Sequence, residues 1–417
     1  MPSRDDPSTL AFSQQAANEH RMVKHPMVAL VILFAITFSF IMTELMPMGV
    51  LQLMGNDLQQ SEARIGFLVS IFAFAVVLTS APLAGYTARL PRRPLLLTLT
   101  TILSLGNLIV AFSQSYQLDM VVRFLIGIAN GVFWGMIGSL ATRLVPAEQR
   151  GRALSMVFAG NTAALTLGIP LSAAAALLIG WQATFATLGV LGIVLSLLGW
   201  RILPKLPGTL AAAHVPLAQV LRTPGVTAIA LATFLTFTAH FALYTYATPY
   251  LREAGIPVAF IAPVLFSFGI VGIAGVWLTG IAIDRRPRAA TLAVLWLLLT
   301  ALVVLAFTAR QSVPLLTTIV AVAWGFAYSA MPMLFQSAML RAAPRSPDPA
   351  SAILFTSVNV AITAGSFLGG KMLDAIGVAW IPLLACACVV GAIGTVSAAR
   401  RHAFPVDHQA RTEAARP

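Results

Sequence analysis

A glutamate and a proline interrupt an otherwise apolar run near the start of the chain, which reads FIMTELMPMG at residues 40–49. A charged side chain inside an apolar helix costs about 3 kcal/mol or more, so Glu44 is a candidate for function. Its chemistry would be to take up and release a proton, because burial favours the neutral acid and a nearby cation favours the carboxylate. Pro47 has no N–H to donate to the carbonyl of Thr43, which leaves an acceptor free beside the glutamate. An ordinary helix kink is the alternative role for Pro47.

Arg123 is the cation expected beside this carboxylate. Glu44 and Arg123 each lie about six residues, or roughly 9 Å, from the outer end of their own apolar segments. We therefore predict one shared site, in which Glu44 carries a proton and Arg123 modulates it, or in which the two form a fixed ion pair between helices. His240, in the run TAHFALYTY at 238–246, titrates near neutral pH and is a further candidate for the proton path. The alternative for His240 is a structural hydrogen bond between helices.

Amide and aromatic side chains lie at helical spacing on several of the apolar segments, two of which carry Arg123 and His240. Rings together with amides and hydroxyls suit a sugar, whose faces stack and whose hydroxyls need hydrogen bonds, and they also suit flat drugs or nucleosides. Membrane tryptophans and tyrosines are equally typical of packing or of anchoring at the lipid surface. The predicted substrate contacts are Asn130, Trp134, Tyr244, Trp324, Tyr328, Gln336 and Asn359.

Twelve apolar segments must position these residues. The 417-residue chain is 58% hydrophobic and 10% charged, with a mean hydropathy of +0.87, whereas soluble domains are about one-quarter charged. Each helix that crosses a bilayer needs about 20 apolar residues, and short loops separate the segments. The first 20 residues are polar and lack the apolar core of a cleaved signal, so we expect the first helix to remain in the protein.

The positive charges fall on alternate connections between these segments. With both termini cytoplasmic, 21 Lys and Arg residues lie on the inner side and 4 on the outer side, while Arg123 lies in the membrane. This positive-inside pattern predicts a bacterial inner-membrane protein in that orientation. The net charge of +12 then indicates contact with anionic lipid, with no nucleic-acid partner.

The chain contains an internal repeat. Residues 143–181 align with 341–380, and Arg143, Pro146 and Asn161 match Arg341, Pro344 and Asn359 at a constant offset of 198. Repeated halves are common in transporters. The predicted organisation is a cytoplasmic tail at 1–25, a six-helix half at 26–203, a cytoplasmic linker at 204–224, a second six-helix half at 225–399 and a cytoplasmic tail at 400–417.

A short motif follows the second and eighth segments. GIAIDRRPR at 280–288 contains Gly280, Asp284 and Arg285, and GYTARLPRR at 85–93 keeps Gly85 and Arg93. Glycine lets two helices approach closely, an acid can meet the N-terminus of a neighbouring helix, and arginine holds the inner headgroup surface. A simple positive-inside stop would explain the arginines alone.

Together with Arg123-x-x-x-Gly127-x-x-x-Gly131 and Gly168-Ile169-Pro170, this motif resembles the major facilitator superfamily in its twelve-helix drug:proton antiporter branch. The resemblance covers about residues 25–400. Within the branch, TELMP at 43–47, NGVFWG at 130–135 and NVAITAGSFLG at 359–369 are similar to sugar efflux and arabinose efflux permeases. Two positions depart from the pattern: Arg89 replaces the acid of the first loop, and Asn130 stands where some relatives carry histidine.

The resemblance implies an all-α integral membrane protein whose two six-helix halves enclose a central cavity lined by helices one, four, seven and ten. It ties Gly168 and Pro170 to antiporters, although small-residue packing against helix eight or one explains them equally well. It implies a proton-coupled antiporter that exports a small solute. The preferred candidate for this solute is a sugar or sugar derivative. A chloramphenicol-type drug or a purine nucleoside is the alternative.

Enzymatic and ATP-driven activities are not expected. The chain has no glycine-rich nucleotide loop and no His-Glu-x-x-His spacing, so we predict no cofactor and no metal. Cys386 and Cys388 face different ways on one helix and are not expected to bridge. The expected partners are the solute, protons and the lipid bilayer, and the expected state is a monomer.

Overall fold

The computed structural model describes residues 25–399 and 403, apart from 88, 147–148, 209–216, 284–285 and 344–346. All regular structure in the described part is helical, and twelve of its helices are long and apolar enough to cross a membrane. The predicted all-helical, twelve-span architecture is therefore confirmed. The helices are α1 (Pro26–Asp57), α2 (Glu62–Thr87), α3 (Arg92–Phe112), α4 (Tyr116–Arg143), α5 (Arg150–Ile179), α6 (Trp181–Ile202), α7 (Leu217–Leu221), α8 (Val226–Tyr244), α9 (Ala247–Glu253), α10 (Val258–Ile283), α11 (Pro287–Gln311), α12 (Pro314–Ala342), α13 (Pro347–Ile376) and α14 (Ile381–Ala398).

Helices satisfy the backbone of an apolar chain, because every internal N–H and C=O pairs within the segment and needs no water. Their ends follow ordinary rules. Ser115 caps α4 by accepting from the amide of Leu118 at 3.4 Å, and Gly180 joins α5 to α6 with φ at 85°, which a side chain would strain. α7 and α9 are too short to span a bilayer.

The packing of the helices repeats. In the first half (α1–α6) the closest partners are α1 with α5, α2 with α4, and α3 with α6. In the second half (α8–α14) they are α8 with α13 and α10 with α12, while α14 packs mainly on α8, and α11 packs on α12 and α14. The halves meet through α2 with α13 and α5 with α10. Small residues permit the close contact of α1 with α5 within the first half, because Gly49 of α1 and Gly160 of α5 have no room for a side chain.

The two ends of the bundle differ. The arginine-rich end carries Arg92, Arg143, Arg201, Arg288 and Arg341, and the opposite end carries Arg64, Arg252, Arg310 and Lys371. The halves are joined at the opposite end, where Arg252 Nη2 lies 2.9 Å from Glu62 Oε1. There Phe67 and Phe367 also stack at 5.3 Å between ring centroids. At the arginine-rich end an open groove of about 630 Å³ is lined by Met333, Gln336, Ser337, Leu340 and Arg341.

Candidate functional site

Glu44 and Arg123 meet between α1 and α4, as the sequence predicts from their matching depth. Arg123 is fully buried and Glu44 is 6% exposed. The guanidinium donates from Nη2 to the backbone carbonyl of Glu44 at 3.1 Å. No ion pair within 4.0 Å joins the two side chains, both of which the structure describes. Arg123 therefore lies next to the carboxylate without being paired to it in this conformation.

The backbone carbonyl of Thr43, which Pro47 leaves without a helical donor, accepts a hydrogen bond from Arg123. Pro47 lies inside α1 and has no N–H for the carbonyl of Thr43, which accepts from Arg123 Nη1 at 2.6 Å. Arg123 Nε donates to the carbonyl of Leu68 on α2 at 3.3 Å, and the guanidinium lies 4.5 Å from the centroid of the Phe72 ring. The arginine is thus anchored on two helices by neutral groups, and its charge remains available to a carboxylate.

The Glu44 carboxylate has a single hydrogen-bond partner. Asn130 Nδ2 donates to Oε2 at 3.5 Å, and Asn130 Oδ1 is buried without a partner. Asn130 was predicted as a substrate contact, and the structure places it beside the glutamate. Because the amide can donate to a carboxylate through Nδ2 or accept from a carboxylic acid through Oδ1, it can serve both protonation states.

Sequence reasoning missed two polar residues around this pair. Asn107 of α3 is buried and donates from Nδ2 to Thr43 Oγ1 at 2.8 Å. Asp119 of α4 is fully buried one turn before Arg123, and neither carboxylate oxygen has a partner. The signal for Asp119 was its i, i+4 spacing to Arg123, and the signal for Asn107 was an amide in the apolar run SLGNLIVAF.

His240 belongs to a separate cluster in the second half. Its ring stacks on Tyr328 with centroids 3.2 Å apart and on Tyr244 at 4.5 Å, and it lies 5.3 Å from Trp324. Phe268 of α10 closes the group, 5.0 Å from both Tyr244 and Trp324. We call these residues of α8, α10 and α12 the aromatic cluster. The structure thus brings together four predicted site residues, His240, Tyr244, Trp324 and Tyr328. No hydrogen bond or ion pair joins His240 to Glu44.

Polar atoms inside the aromatic cluster lack partners. His240 Nδ1, Tyr244 Oη and Trp324 Nε1 are all buried without a hydrogen bond, as is the nearby Thr238 Oγ1. Most buried polar groups in proteins are paired, and an unpaired one costs about 1–3 kcal/mol. A cluster of such groups on aromatic rings fits a solute that stacks on the rings and brings hydrogen-bonding groups with it.

The remaining predicted substrate contacts do not join either group. Trp134 stacks on Phe355 of α13 at 6.0 Å and so links the two halves nearer the arginine-rich end. Gln336 donates to Ser351 Oγ at 2.8 Å beside the open groove. Asn359 bonds to its own helix through the carbonyl of Phe355 at 3.0 Å.

The motif residues occupy matching places in the two halves. Gly85 and Gly280 lie two and three residues before the ends of α2 and α10, and Arg93 is partly exposed at the start of α3. Asp284 and Arg285 lie outside the described residues. Gly168 packs on Leu45 and Met42 of α1, which favours the packing interpretation of that motif. Pro170 lies inside α5.

No group of three or more His, Cys, Asp or Glu side chains is arranged to hold a metal ion in the described part of the chain. Cys386 and Cys388 are free thiols, both partly buried.

The sequence matches a family model described as Major Facilitator Superfamily over residues 32–351. A purine ribonucleoside efflux pump of Salmonella enteritidis is 30% identical over 89% of this chain and 94% of its own. A probable sugar efflux transporter of Mannheimia succiniciproducens is 28% identical, with 86% and 90% covered. A chloramphenicol efflux pump of Mycobacterium tuberculosis is 30% identical, with 82% and 85% covered.

Two solved structures share the fold. A bacterial homologue of the human lysosomal transporter Spinster, in an inward-facing and occupied conformation, superposes with a TM-score of 0.71 at 16% identity, covering 89% of this chain and 96% of that one. The nucleoside transporter NupG superposes with a TM-score of 0.70 at 14% identity, covering 90% and 100%. At these identities the likeness establishes the arrangement of the twelve helices and says nothing of the solute.

Proposed function

Since the chain belongs to the major facilitator superfamily, whose model matches residues 32–351, we propose that it is a proton-coupled exporter of a small solute across a bacterial inner membrane. The protein is a multi-pass membrane transporter of that family, and transporters of this kind are not enzymes. The three relatives described above are efflux proteins by name, which favours export. Proton coupling and the identity of the solute are the proposed part.

One observation carries the coupling proposal: Glu44 is a buried carboxyl beside a buried arginine to which it is not ion-paired. A fixed ion pair would hold the carboxylate charged through the whole cycle. A carboxyl held only by the Asn130 amide can gain and lose a proton, and small movements of α1 against α4 change its distance to the guanidinium. Because Arg123 stays on the carbonyls of Thr43, Glu44 and Leu68, the glutamate is the member of the pair that titrates.

The arrangement of the two ends supports alternating access. Contacts between the halves lie at the opposite end, and a groove along α12 beside Gln336 lies at the arginine-rich end, which favours a state open toward the arginine-rich end. We assign the arginine-rich end to the cytoplasm by the positive-inside rule, with both termini on that side and the arginines on anionic lipid. In this state Glu44 releases its proton inward and the solute enters from the cytoplasm. Reopening at the opposite end then releases the solute and reloads the proton.

The solute is proposed to bind at the aromatic cluster. Ring faces and unpartnered donors and acceptors suit a sugar or sugar derivative, which stacks an apolar face and presents hydroxyls. A purine nucleoside is the second candidate, because aromatic side chains suit a base and the unpartnered polar atoms suit the hydroxyls of the ribose. A monomer is sufficient for this mechanism, since one chain supplies both halves.

Everted membrane vesicles test the proposal. An imposed proton gradient, acid inside, is followed with a pH-sensitive dye while arabinose, chloramphenicol or inosine is added in turn to vesicles with and without the protein. A protein-dependent loss of the gradient on adding one of the three establishes antiport and the class of solute together. A gradient unaffected by every solute that the same vesicles take up in radiolabelled form would show transport without proton exchange.

A further inference from the structure

Asp119 is a second buried acid that the proposed mechanism does not use. It lies in the first turn of α4, fully buried, with its amide bonded to the carbonyl of Ser115 at 3.0 Å. Neither carboxylate oxygen has a hydrogen-bond partner within 3.5 Å, and the Ser113 hydroxyl is the polar group beside them. A buried, unpartnered carboxylate is among the most expensive groups a fold can contain. A role in function explains its presence better than packing, which an apolar residue would serve.

Arg123 stands between the two acids. Asp119 precedes it by four residues, about 6 Å along the axis. Glu44 lies on the other side, where its backbone carbonyl accepts from Arg123 and its carboxylate accepts from Asn130, seven residues beyond Arg123 on α4. The side chains thus follow one another along α4 from the opposite end toward the middle of the membrane.

Among the described residues of the helices packed on α4, no cation other than Arg123 lies inside the membrane. α2 contributes Glu62 and Arg64 at the surface, where Arg64 donates to Gln60 Oε1 at 2.7 Å and Glu62 bonds Arg252. Besides Glu44, α1 contributes Asp57, which accepts from Trp181 Nε1 at 2.7 Å. The charged residues of α3 and α5 all lie at their arginine-rich ends.

The balance of one buried arginine against two buried carboxyl groups determines how many protons the site holds. One buried arginine can offset one carboxylate, and a second ionised carboxylate would leave a net negative charge in a low-dielectric region. The group of three is neutral when Asp119 and Glu44 share a single proton. Two carboxylates that compete for one proton titrate as a pair, and a change at one is felt at the other.

We propose that Asp119 and Glu44 hold one exchangeable proton between them around Arg123, with Asp119 as the group that takes it up when the opposite end opens. This inference rests on the proposed proton coupling and adds its route. A proton from the outer medium binds an oxygen of Asp119 and gives a neutral acid. It then passes through water to Glu44, so that Asp119 returns to the carboxylate and Glu44 becomes the acid. Arg123 keeps its charge throughout.

Labelling with dicyclohexylcarbodiimide tests the shared proton without any solute, because this apolar reagent modifies protonated buried carboxyls. The full-length protein in its native membranes is labelled across a pH series, and the peptides that contain Glu44 and Asp119 are quantified by mass spectrometry. In Glu44→Gln, Asp119 alone faces Arg123 and should ionise more readily. The pH of half-maximal Asp119 labelling is expected to fall by about one unit or more. A Glu253→Gln control, changed at an exposed acid, should leave it in place.

The reciprocal variant gives the second arm. Asp119→Asn should lower the pH of half-maximal Glu44 labelling and slow solute-driven proton movement by about tenfold or more, while solute exchange at equal pH stays within about twofold. An Asp119 that labels identically in wild type and Glu44→Gln, or never labels while Glu44 does, overturns the proposal. If Asp119→Asn fails to fold, the labelling of Asp119 in Glu44→Gln still tests the shared proton. Coupled labelling in a protein that moves no protons with any solute would refute antiport and leave the two-carboxylate site standing.

Discussion

Arg123 is held by the helix defect that Pro47 creates. The proline leaves the carbonyl of Thr43 without its usual donor, and the guanidinium fills the place at 2.6 Å. A buried cation is expensive unless hydrogen bonds satisfy it, and here carbonyls supply those bonds. As a result, Arg123 does not need the Glu44 carboxylate as a counter-ion, and Glu44 can change its protonation state.

Tyr244 and Tyr250 form a matched pair for testing the aromatic cluster. Tyr244 Oη is buried without a partner, whereas Tyr250 Oη donates to the carbonyl of Leu305 at 2.6 Å. Tyr244→Phe should raise the stability of the solute-free protein by about 1 kcal/mol, because it removes an unsatisfied group, and should weaken solute binding about tenfold.

Tyr250→Phe should do the reverse, lowering stability by about 1 kcal/mol with unchanged affinity, because it removes a satisfied hydrogen bond remote from the cluster. Thermal unfolding in detergent measures stability, and equilibrium binding of the transported solute measures affinity. If Tyr244→Phe destabilises the protein and binds the solute as wild type does, the hydroxyl is structural and the cluster is not the binding site.

The sequence predicted individual site residues and little of their grouping. The depth argument paired Glu44 with Arg123, and the missing N–H of Pro47 predicted a free carbonyl, but not the donor that reaches it. His240 was assigned to the proton path on its chemistry alone, and the structure puts it among aromatic rings. Which side chains meet depends on how α8 and α12 are rotated against each other, and spacing along one helix does not give that rotation.

At the scale of the helices, length and position were predicted and interruptions were not. Twelve spans and their order follow from hydropathy, because each must bury its backbone polar groups. The break after α8, where Tyr246 Oη donates to the carbonyl of Ser366 at 2.8 Å, was not predicted, although Pro249 in the first turn of α9 is a signal for it. Asp119 was missed for another reason: near a helix end it resembles a surface charge, and its burial comes from the tertiary packing of α4.

Gly269 lies in the contact between α5 and α10, and its replacement tests whether transport needs that contact. It brings α10 of the second half against the carbonyl of Thr166 on α5, and an added Cβ would lie well inside van der Waals distance of that oxygen. Pro170 leaves the same carbonyl without its helical donor. Gly269→Ala should therefore separate the halves and reduce solute transport about tenfold or more, since interfaces between packed helices tolerate little added volume.

Gly394→Ala is the matched control for this substitution. Gly394 lies in α14 with open space around its Cα, so alanine there should leave the transport rate unchanged or raise stability slightly. Radiolabelled solute uptake into everted vesicles compares the two at equal protein amounts. Equal rates for Gly269→Ala and Gly394→Ala would mean that α5 and α10 do not need close contact during the cycle.

For the whole molecule, alternating access requires the opposite end to open once in every cycle. Phe67 of α2 and Phe367 of α13 stack there between the halves, and the chain has only two cysteines, both in α14. With these replaced by alanine, a Phe67→Cys/Phe367→Cys double variant should be crosslinked by a reducible bismaleimide reagent, which spans more than a direct disulfide. The crosslink should stop transport, and cleavage of the linker by reduction should restore it. Each single variant should transport in both conditions. Full transport by crosslinked protein would contradict opening at this end.

Proton coupling through Glu44 is the central claim, and Glu44→Gln tests it most directly. Purified wild type, Glu44→Gln and Glu253→Gln are reconstituted in liposomes, and two rates are measured for each: solute exchange at equal pH, and solute movement driven by a pH gradient. Gln keeps the shape of the side chain and the hydrogen bond to Asn130 but cannot release a proton. The account predicts that Glu44→Gln retains exchange and loses the gradient-driven rate, about a hundredfold, while Glu253→Gln keeps both. A Glu44→Gln protein that still moves solute at the wild-type rate in response to the gradient would contradict it.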